Sequence, residues 1–286
     1  MKYGFLILHY MDLQVTADCV KNIIQRFGKN DIEIVIVDNA SPNGSGKDLQ
    51  TLFEKNAQVK VLISSENLGF AKGNNLGFDY LKKHFDLDYM IVINNDIDIQ
   101  DDKFLEKIAE EYKQSKFAVL GPDIITMYDK KHQNPAHTEA FSLVELKKLK
   151  AAYEKMNRVY PYYYLKGKAV SFVKRLVNHS NTVAPNIRER QFNVILHGAC
   201  YILSRDFIQK REYLFFPETF MYFEEDILHY DCEKLGLRMV YSPSLEVYHV
   251  EDVSTDATFK SQYSKEKFKL ENMLKSITSF IDHIGN

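Results

Sequence analysis

Cysteine is scarce in this chain of 286 residues, which contains only Cys19, Cys200 and Cys232 and has no CxxC pair. An odd number of widely separated cysteines argues against a disulfide scaffold, a zinc ribbon and an iron–sulfur site, and it suits a reducing compartment. No run of about 18 or more apolar residues occurs, which excludes a transmembrane helix. The short apolar run near the N-terminus is followed by Asp12 and not by small residues, so we interpret it as a strand and not as a signal peptide. We expect a cytoplasmic protein.

Several common catalytic motifs are also missing. No GxGxxG follows the first apolar run, which disfavours a dinucleotide-binding fold, and neither HExxH nor GxSxG occurs. Residues 41–48 approach the phosphate-binding P-loop pattern, but Ser41 replaces its first glycine and Asp48 replaces its final Ser or Thr. The nine histidines lack metal-ligand spacing. Any chemistry must therefore come from other residues.

Basic residues are concentrated in one segment, although the net charge of the chain is −2. Residues 141–192 contain 11 Lys and Arg against 3 Asp and Glu, a net charge of +8, which leaves −10 for the rest. This distribution suggests a local anionic partner and argues against general nucleic-acid binding. Residues 165–177 place apolar side chains on one helical face and four basic side chains mainly on the other. These are Lys166, Lys168, Lys174 and Arg175. The pattern fits a peripheral helix on the inner face of the plasma membrane, and it also fits a helix packed on its own domain.

Apolar runs alternate with segments of helical spacing over about the first 120 residues. The runs predicted to be strands are 3–8, 32–37, 59–63, 89–93 and 117–120. The segments predicted to be helices are 13–27, 47–55, 68–83 and 104–112. With right-handed crossovers, this order predicts an α/β fold with a mostly parallel central sheet flanked by helices. Ligands bind such sheets beyond the carboxyl ends of the strands, where Asp38, Asn67 and Asp96 fall.

The second half of the chain has fewer regular patterns. An apolar run resumes at 193–204, and residues 224–235 predict a helix with acids in its first turn. Residues 237–250 predict one or two strands broken by Pro243, and residues 259–284 predict a closing helix.

Three acidic residues lie at the ends of two predicted strands. Asp96 and Asp98 come directly after the fourth strand, and acids two residues apart on an extended chain point to the same side. They could hold a hard divalent cation, or they could be a helix cap or a solvated turn. Asp38 ends the second strand, where it could accept hydrogen bonds from a nucleobase or ribose, or form a turn before Asn39.

A glycine-spaced helix and an acid cluster are further candidates. Gly69, Gly73 and Gly77 fall on one helical face, which allows close approach of a ligand or tight packing on the sheet. The helix N-terminus there, with Lys72 nearby, suits a phosphate. In residues 224–226 three adjacent acids repel one another, so the pKa of at least one could rise to suit a general base. The alternative is an ordinary acidic helix start.

Taken together, these motifs resemble a known family. In chain order they are 38–41, 67–70, 74–77, 94–96, 197–200, 221–226, 234–236 and 247–249. The set is similar to glycosyltransferase family 2, in its rhamnosyltransferase-like bacterial polysaccharide branch, and the resemblance covers about residues 3–127 and 193–250.

The resemblance implies a GT-A fold and an enzyme that uses a nucleoside-diphosphate sugar and Mg²⁺ or Mn²⁺, and that inverts the anomeric carbon. The donor-binding residues that it implies are Asp38, Asn67, Gly69, Lys72, Asn74, Asn95, Asp96, His197 and Gly198. The implied metal ligands are Asp96 and His249, to which the spacing of the strand-end acids adds Asp98. In the family the base is usually the Asp of a Glu-Asp pair that precedes the motif at 234–236. Aligned to that motif without a gap, the base position falls on Glu225; aligned by residue type, it falls on Asp226. We favour Glu225.

The resemblance also suggests a division of the chain into four parts. These are a nucleotide-sugar-binding half (1–127), a basic, mainly helical insertion for acceptor or membrane contact (128–192), a catalytic half (193–258) and a C-terminal helix (259–286). The expected partners are a nucleoside-diphosphate sugar and a glycan or lipid-linked oligosaccharide acceptor, in the synthesis of capsule, O-antigen or another cell-surface polysaccharide.

Two other functions compete with this one. A sugar-1-phosphate nucleotidyltransferase would need a glycine-rich basic loop after the first strand, and residues 9–12 offer none. A non-catalytic nucleotide- or glycan-binding protein on a degenerate transferase fold would agree with the motif Asn94-Asn95-Asp96, which has one carboxylate fewer than DxD.

Overall fold

The structure is a computed structural model that describes residues 1–137, 139–165, 187–250 and 261–285. Within these ranges nine strands form one sheet. They are β1 (Lys2–His9), β2 (Asp31–Asp38), β3 (Val59–Ile63), β4 (Tyr89–Asn94), β5 (Ile97–Asp98), β6 (Val119–Thr126), β7 (Gln191–Phe192), β8 (Cys200–Ser204) and β9 (Met239–His249). The helices are α1 (Leu13–Phe27), α2 (Ser45–Phe53), α3 (Gly69–His84), α4 (Phe104–Ser115), α5 (Leu143–Arg158), α6 (Tyr160–Leu165), α7 (Arg205–Lys210), α8 (Glu224–Lys234) and α9 (Gln262–Gly285).

The strand order is β3-β2-β1-β4-β8-β6-β9-β5, with β7 also paired to β9. Strands β1 to β4 are mutually parallel, and β8 lies antiparallel between β4 and β6. Since β6 and β9 pair in parallel, six of these nine strands point the same way. The predicted α/β fold with a mostly parallel sheet is confirmed.

Both faces of the sheet are covered, which explains the continuous apolar runs in β1, β2 and β4. Alternate residues of β1 serve opposite faces. Phe5 packs in a cluster with Phe27 of α1 and Phe104 of α4, whereas Leu6 packs with Phe78 of α3 and Phe207 of α7.

Glycine allows α3 to lie close to the sheet. A Cβ at Gly73 would be 2.7 Å from Leu8 Cδ1, and one at Gly77 would overlap Leu6. These two glycines therefore serve tight helix–sheet packing, and of the three aligned glycines only Gly69 faces a different neighbour, the carbonyl of Phe220.

Two strands differ in detail from the predicted runs. β6 continues to Thr126 through Gly121, Pro122 and Asp123, because its pairing with β9 does not require an apolar pattern. β9 is one strand and not two, since it absorbs Pro243 in a bulge: Ser242 pairs opposite Pro122, but the next pair joins Glu246 to Asp123.

A third apolar cluster lies outside the sheet layers. Helices α5 and α9 pack on each other and on the start of α8, with Tyr153, Met273, Phe223 and Ile227 in the contact. In the described part of the chain, no helix is both long and apolar enough to cross a membrane. The predicted basic helix at 165–177 lies outside the described residues apart from Leu165, and the division of the chain into four parts stays a prediction.

Candidate active site

A cavity of about 850 Å³ lies at the carboxyl ends of β1, β2 and β4. Leu8, Asn39 and Asn94 reach its wall from these strand ends, and residues 197–199 and 220–226 bound it from the segments before β8 and α8. Small-molecule sites span roughly 300–1,000 Å³, so this volume can hold a sizeable ligand. The predicted edge of the sheet is thus where the fold leaves room.

Asp96 and His249 are distant in sequence but adjacent in space, because β5 pairs with β9 and Ile97 lies opposite His249. Asp96 Oδ1 is 3.2 Å from His249 Nε2. His249 Nδ1 is 2.7 Å from Oε1 of Gln133. An amide oxygen only accepts hydrogen bonds, so Nδ1 donates its proton to Gln133, and Nε2 is the ring nitrogen that faces Asp96.

The same pair fits a divalent cation. The buried Oδ1 of Asp96 has no hydrogen-bond partner among the described residues. A carboxylate oxygen and an imidazole nitrogen that face each other as lone-pair donors suit a shared cation such as Mn²⁺ or Mg²⁺. No group of three or more His, Cys, Asp or Glu side chains in the described ranges could hold a metal ion. A cation here would therefore take further ligands from water and from a phosphate of a bound molecule, as Mg²⁺ commonly does.

His197 lies next to this pair, with its ring centroid 6.1 Å from that of His249. Its backbone N–H donates to Oδ1 of Asn134, and its Nδ1 accepts the N–H of Ala199. Burial, with a smaller effect of the His249 imidazole, lowers the pKa of His197 to about 4. The ring is therefore neutral near pH 7, and Nε2 carries the proton as a hydrogen-bond donor.

The acid cluster also lines the cavity, from the first turn of α8. Burial, and then the charge of Glu225, raises the pKa of Glu224 and of Asp226 to about 8. Burial also raises the pKa of Glu225, while the backbone N–H groups of Glu225 and Gly198 oppose this effect. The carboxylate of Glu225 is thus the one that accepts from the loop carrying His197, through the N–H of Gly198.

Gly198 brings the base position close to the histidine side of the cavity. A Cβ at residue 198 would lie 2.6 Å from Oε1 of Glu225. Any larger residue would displace the carboxylate. Glu225 of α8 therefore lies next to the segment before β8, which carries Gly198 and His197. His197 in turn lies next to His249 of β9, which contacts Asp96 in the turn after β4.

The turn before α3 is fixed by Asn39. Its Oδ1 accepts the N–H of Leu68 at 2.7 Å, and its Nδ2 donates to the carbonyl of Gly69 at 3.0 Å. Gly69 has φ of +74°, and the next N–H, of Phe70, donates to the carbonyl of Phe220 at 2.7 Å. The strand-end motif and the loop that leads to the acids are therefore held together through the start of α3.

The model of glycosyl transferase family 2 matches residues 5–180, more than half of the chain. The chain belongs to glycosyl transferase family 2. A search of the curated proteins found no match.

Solved structures agree with this membership at the level of the fold. S. aureus TarS 1-349 is 12% identical, with a TM-score of 0.53 over 87% of this chain and 60% of that one. The same fragment in complex with UDP-GlcNAc is 13% identical, with a TM-score of 0.55 over 96% of this chain and 65% of that one. GalNAc-T7 with UDP, GalNAc and Mn²⁺ is 13% identical, with a TM-score of 0.57 over 88% of this chain and 43% of that one. The family 2 chain therefore has the GT-A fold, and it spans less than two thirds of each of these proteins.

Most of the predicted site residues of this family 2 member converge. Those that line the cavity are Asn67, Gly69, Asn95, Asp96, His197, Gly198, Glu225 and Asp226. His249 joins them through its contact with Asp96. The side chain of Asn95 is fixed by α1, because its Nδ2 donates to Thr16 Oγ1. Thr16 Oγ1 also lies 2.7 Å from Nδ1 of the buried His9.

Three predicted donor-binding residues do not line the cavity. Asp38 is 2% exposed, accepts the N–H of Ser41 and lies 3.8 Å from His9 Nε2. Lys72 is exposed on α3, and Asn74 is buried with its Nδ2 bonded to the carbonyl of Phe70. On α3 the face toward the sheet belongs to the glycines, which leaves positions 72 and 74 on the flanks.

Asp98 is also placed away from the cavity. Its Oδ1 accepts from Asn22 of α1 and its Oδ2 accepts from Gln100. The two carboxylates would point to the same side only if Asp96 and Asp98 shared one strand. Asp96 instead lies in a turn between β4 and β5, and only Asp98 belongs to β5, so the two carboxylates point to different surroundings.

Sequence patterns did not reveal several residues that shape the site. Gln133 and Asn134 orient the two histidines from a loop after β6, and Tyr153 of α5 lines the cavity. Nothing in their spacing marked them. Asn39 could have been found, because it belongs to the motif at 38–41 and a buried amide that follows a strand commonly binds backbone.

Proposed function

We propose that this family 2 chain is an inverting glycosyltransferase that moves a sugar from a nucleoside-diphosphate sugar to a hydroxyl of a glycan acceptor, in the synthesis of a cell-surface polysaccharide. The observation that carries the proposal is that Asp96, which contacts His249, lines the same cavity as Glu225. A cation and diphosphate site on one side and a buried carboxylate on the other are the two parts that a single displacement needs.

The donor would lie along the carboxyl ends of β1, β2 and β4. Asn67, Gly69 and Asn95 supply polar groups to this part of the wall. Asp96 and His249 would hold Mn²⁺ or Mg²⁺, and the cation would supply charge neutralisation to the departing diphosphate. The neutral His197 would donate its Nε2 proton to a sugar or phosphate oxygen.

Glu225 would act as the general base. Its carboxylate takes the proton of the acceptor hydroxyl while the oxygen bonds to the anomeric carbon, and the diphosphate leaves from the opposite face with the bonding electron pair. One attack from the far face inverts that carbon. Glu225 is preferred to Asp226 because its carboxylate lies against Gly198, next to the histidines, where a Cβ at residue 198 would be 2.6 Å from Oε1.

Donor binding is the first test. Isothermal titration with UDP-sugars, in Mn²⁺ and then in EDTA, should show metal-dependent affinity; UDP is the nucleotide named with both TarS and GalNAc-T7. Asp96→Ala should remove the metal dependence, and Asp98→Ala, whose carboxylate lies outside the cavity, should not. Equal affinity in Mn²⁺ and EDTA would contradict the cation role.

Turnover is the second test. Glu225→Gln should keep donor affinity and lower the rate of UDP release by roughly a hundredfold or more, the contribution typical of a general base. Loss of turnover in Asp226→Asn but not in Glu225→Gln would reassign the base. Binding of UDP-sugars without any release of UDP by the unmodified protein would favour a non-catalytic binding protein.

A further inference from the structure

The cavity has a second wall that the donor and the base do not use. Leu149 and Tyr153 contribute to it from α5, and Phe268 and Met273 contribute from α9. Lys265 and Lys269 of α9 also line it, so this wall combines apolar side chains with two lysines, in contrast to the amides, histidines and carboxylates that line the sheet side. The two sides therefore suit different parts of a reaction.

The second wall is attached to the segment that carries the base. Phe223 and Ile227, which flank the first turn of α8, pack in one cluster with Tyr153 and Met273. Ser276 of α9 donates its hydroxyl to the carbonyl of Met221 at 2.8 Å. Since a base must touch the hydroxyl that it deprotonates, a surface fixed to the base segment is the place for the acceptor.

Tyr153 provides an independent sign of a ligand at this wall. Its side chain is fully buried, and its hydroxyl has no hydrogen-bond partner among the described residues. A buried hydroxyl without a partner is unfavourable and uncommon in a folded protein. The hydroxyl is enclosed, but Tyr153 lines the cavity, so a small shift of this side chain on ligand binding would let a bound molecule supply the missing partner.

Two aromatic rings that line the same cavity indicate the chemistry of that molecule. Phe220 and Phe268 pack edge to face, with ring centroids 6.2 Å apart, and both line the cavity. Sugar rings combine an apolar C–H face, which packs on aromatic rings, with hydroxyls that need hydrogen bonds. An alkyl chain would satisfy the rings but would leave the Tyr153 hydroxyl without a partner.

We propose that α5 and α9 form the acceptor subsite and that the Tyr153 hydroxyl binds a hydroxyl of the acceptor sugar, which makes Tyr153 a specificity-determining residue. The inference rests on the proposed function, because it takes Glu225 as the base and the sheet side as the donor site. It assigns acceptor choice to helices outside the sheet.

Tyr153→Phe is a favourable test, because it removes a hydroxyl that has no partner in the folded protein. The variant should be at least as stable as the parent in thermal unfolding. Tyr160→Phe is the matched control: Tyr160 is also buried, but its hydroxyl lies 3.3 Å from both the Tyr263 carbonyl and Glu266 Oε2, and it does not line the cavity.

Binding is measured first, without turnover. Saturation-transfer NMR with UDP present would screen methyl glycosides of glucose, galactose, rhamnose and N-acetylglucosamine. At least one should bind, and Tyr153→Phe should weaken it about tenfold, the ratio expected for one neutral hydrogen bond, while Tyr160→Phe should not. If no glycoside binds, or if both variants bind as the parent does, the acceptor assignment is overturned.

Turnover separates this inference from the proposed function. With a UDP-sugar that the protein hydrolyses, the bound glycoside should accelerate UDP release, and Tyr153→Phe should raise the KM for glycoside without changing that for donor. Hydrolysis that no glycoside accelerates would overturn the acceptor subsite and leave the transferase in place. Glycoside binding that depends on Tyr153, without any UDP release, would support the subsite and refute the transferase.

Discussion

Replacing Glu224 by glutamine should stabilise the protein, and more so as the pH rises. Glu224 is 3% exposed, and its Oε1 has no hydrogen-bond partner among the described residues. Its pKa is about 8 in the folded protein, compared with 4.5 for an ordinary glutamate, because of burial and then the charge of Glu225. Between these two values the folded state keeps a proton that the unfolded chain has lost, so stability falls with rising pH across that window.

The magnitude follows from the two pKa values. At about 1.4 kcal/mol for each pKa unit, the difference between 4.5 and about 8 corresponds to roughly 5 kcal/mol once Glu224 is ionised. Side-chain relaxation reduces the cost, so we expect Glu224→Gln to gain about 2–4 kcal/mol at pH 8 and close to none at pH 5. For a chain of this size the gain at pH 8 corresponds to a rise in Tm of roughly 4–10 °C.

Thermal unfolding followed by circular dichroism at pH 5, 6.5 and 8, at constant ionic strength, would measure this gain. Glu233→Gln is the matched control, since Glu233 is an exposed acid on the same helix, and its Tm should follow that of the parent at every pH. An equal gain for Glu224→Gln at pH 5 and pH 8, or a lower Tm than the parent at pH 8, would refute the reasoning.

Two further changes test the geometry of the site. Gly198→Ala would place a Cβ 2.6 Å from Glu225 Oε1, so UDP release should fall at least tenfold while Tm stays nearly constant, because a flexible carboxylate can move aside; unchanged release would show that the base tolerates displacement. Asn39→Ala removes the bonds to Leu68 and Gly69, which should lower the free energy of unfolding by about 1–3 kcal/mol in urea denaturation and weaken UDP binding in titration calorimetry; unaltered UDP affinity would separate this turn from the donor site.

The sheet was predictable because its strands are covered on both faces and are therefore apolar throughout. The start of α3 and the acids of α8 were predictable because glycine spacing and adjacent acids are local signals in the sequence. What failed was the placement of Asp98, where the chain turns at Asp96 before the next strand begins. Local alternation carries no information on such a turn.

Contacts between distant segments could not be predicted from spacing. His249 reaches Asp96 only because β5 pairs with β9, and its role was expected from the family resemblance and not from its neighbours in sequence. Gln133 and Tyr153 carry no motif at all. The edge of the sheet at which ligands bind follows from topology, but the wall formed by α5 and α9 depends on how these two helices pack.

The position of β8 between β4 and β6 has a consequence for synthesis. β1 to β4 complete their mutual pairing early, but one edge of β4 has no neighbour until residues 200–204 leave the ribosome. At roughly 5–20 residues per second, that wait is about 5–20 s. During this interval the nascent chain exposes an apolar strand edge, which is a template for aggregation. Efficient production of this protein should therefore depend on chaperones that protect the nascent amino-terminal half.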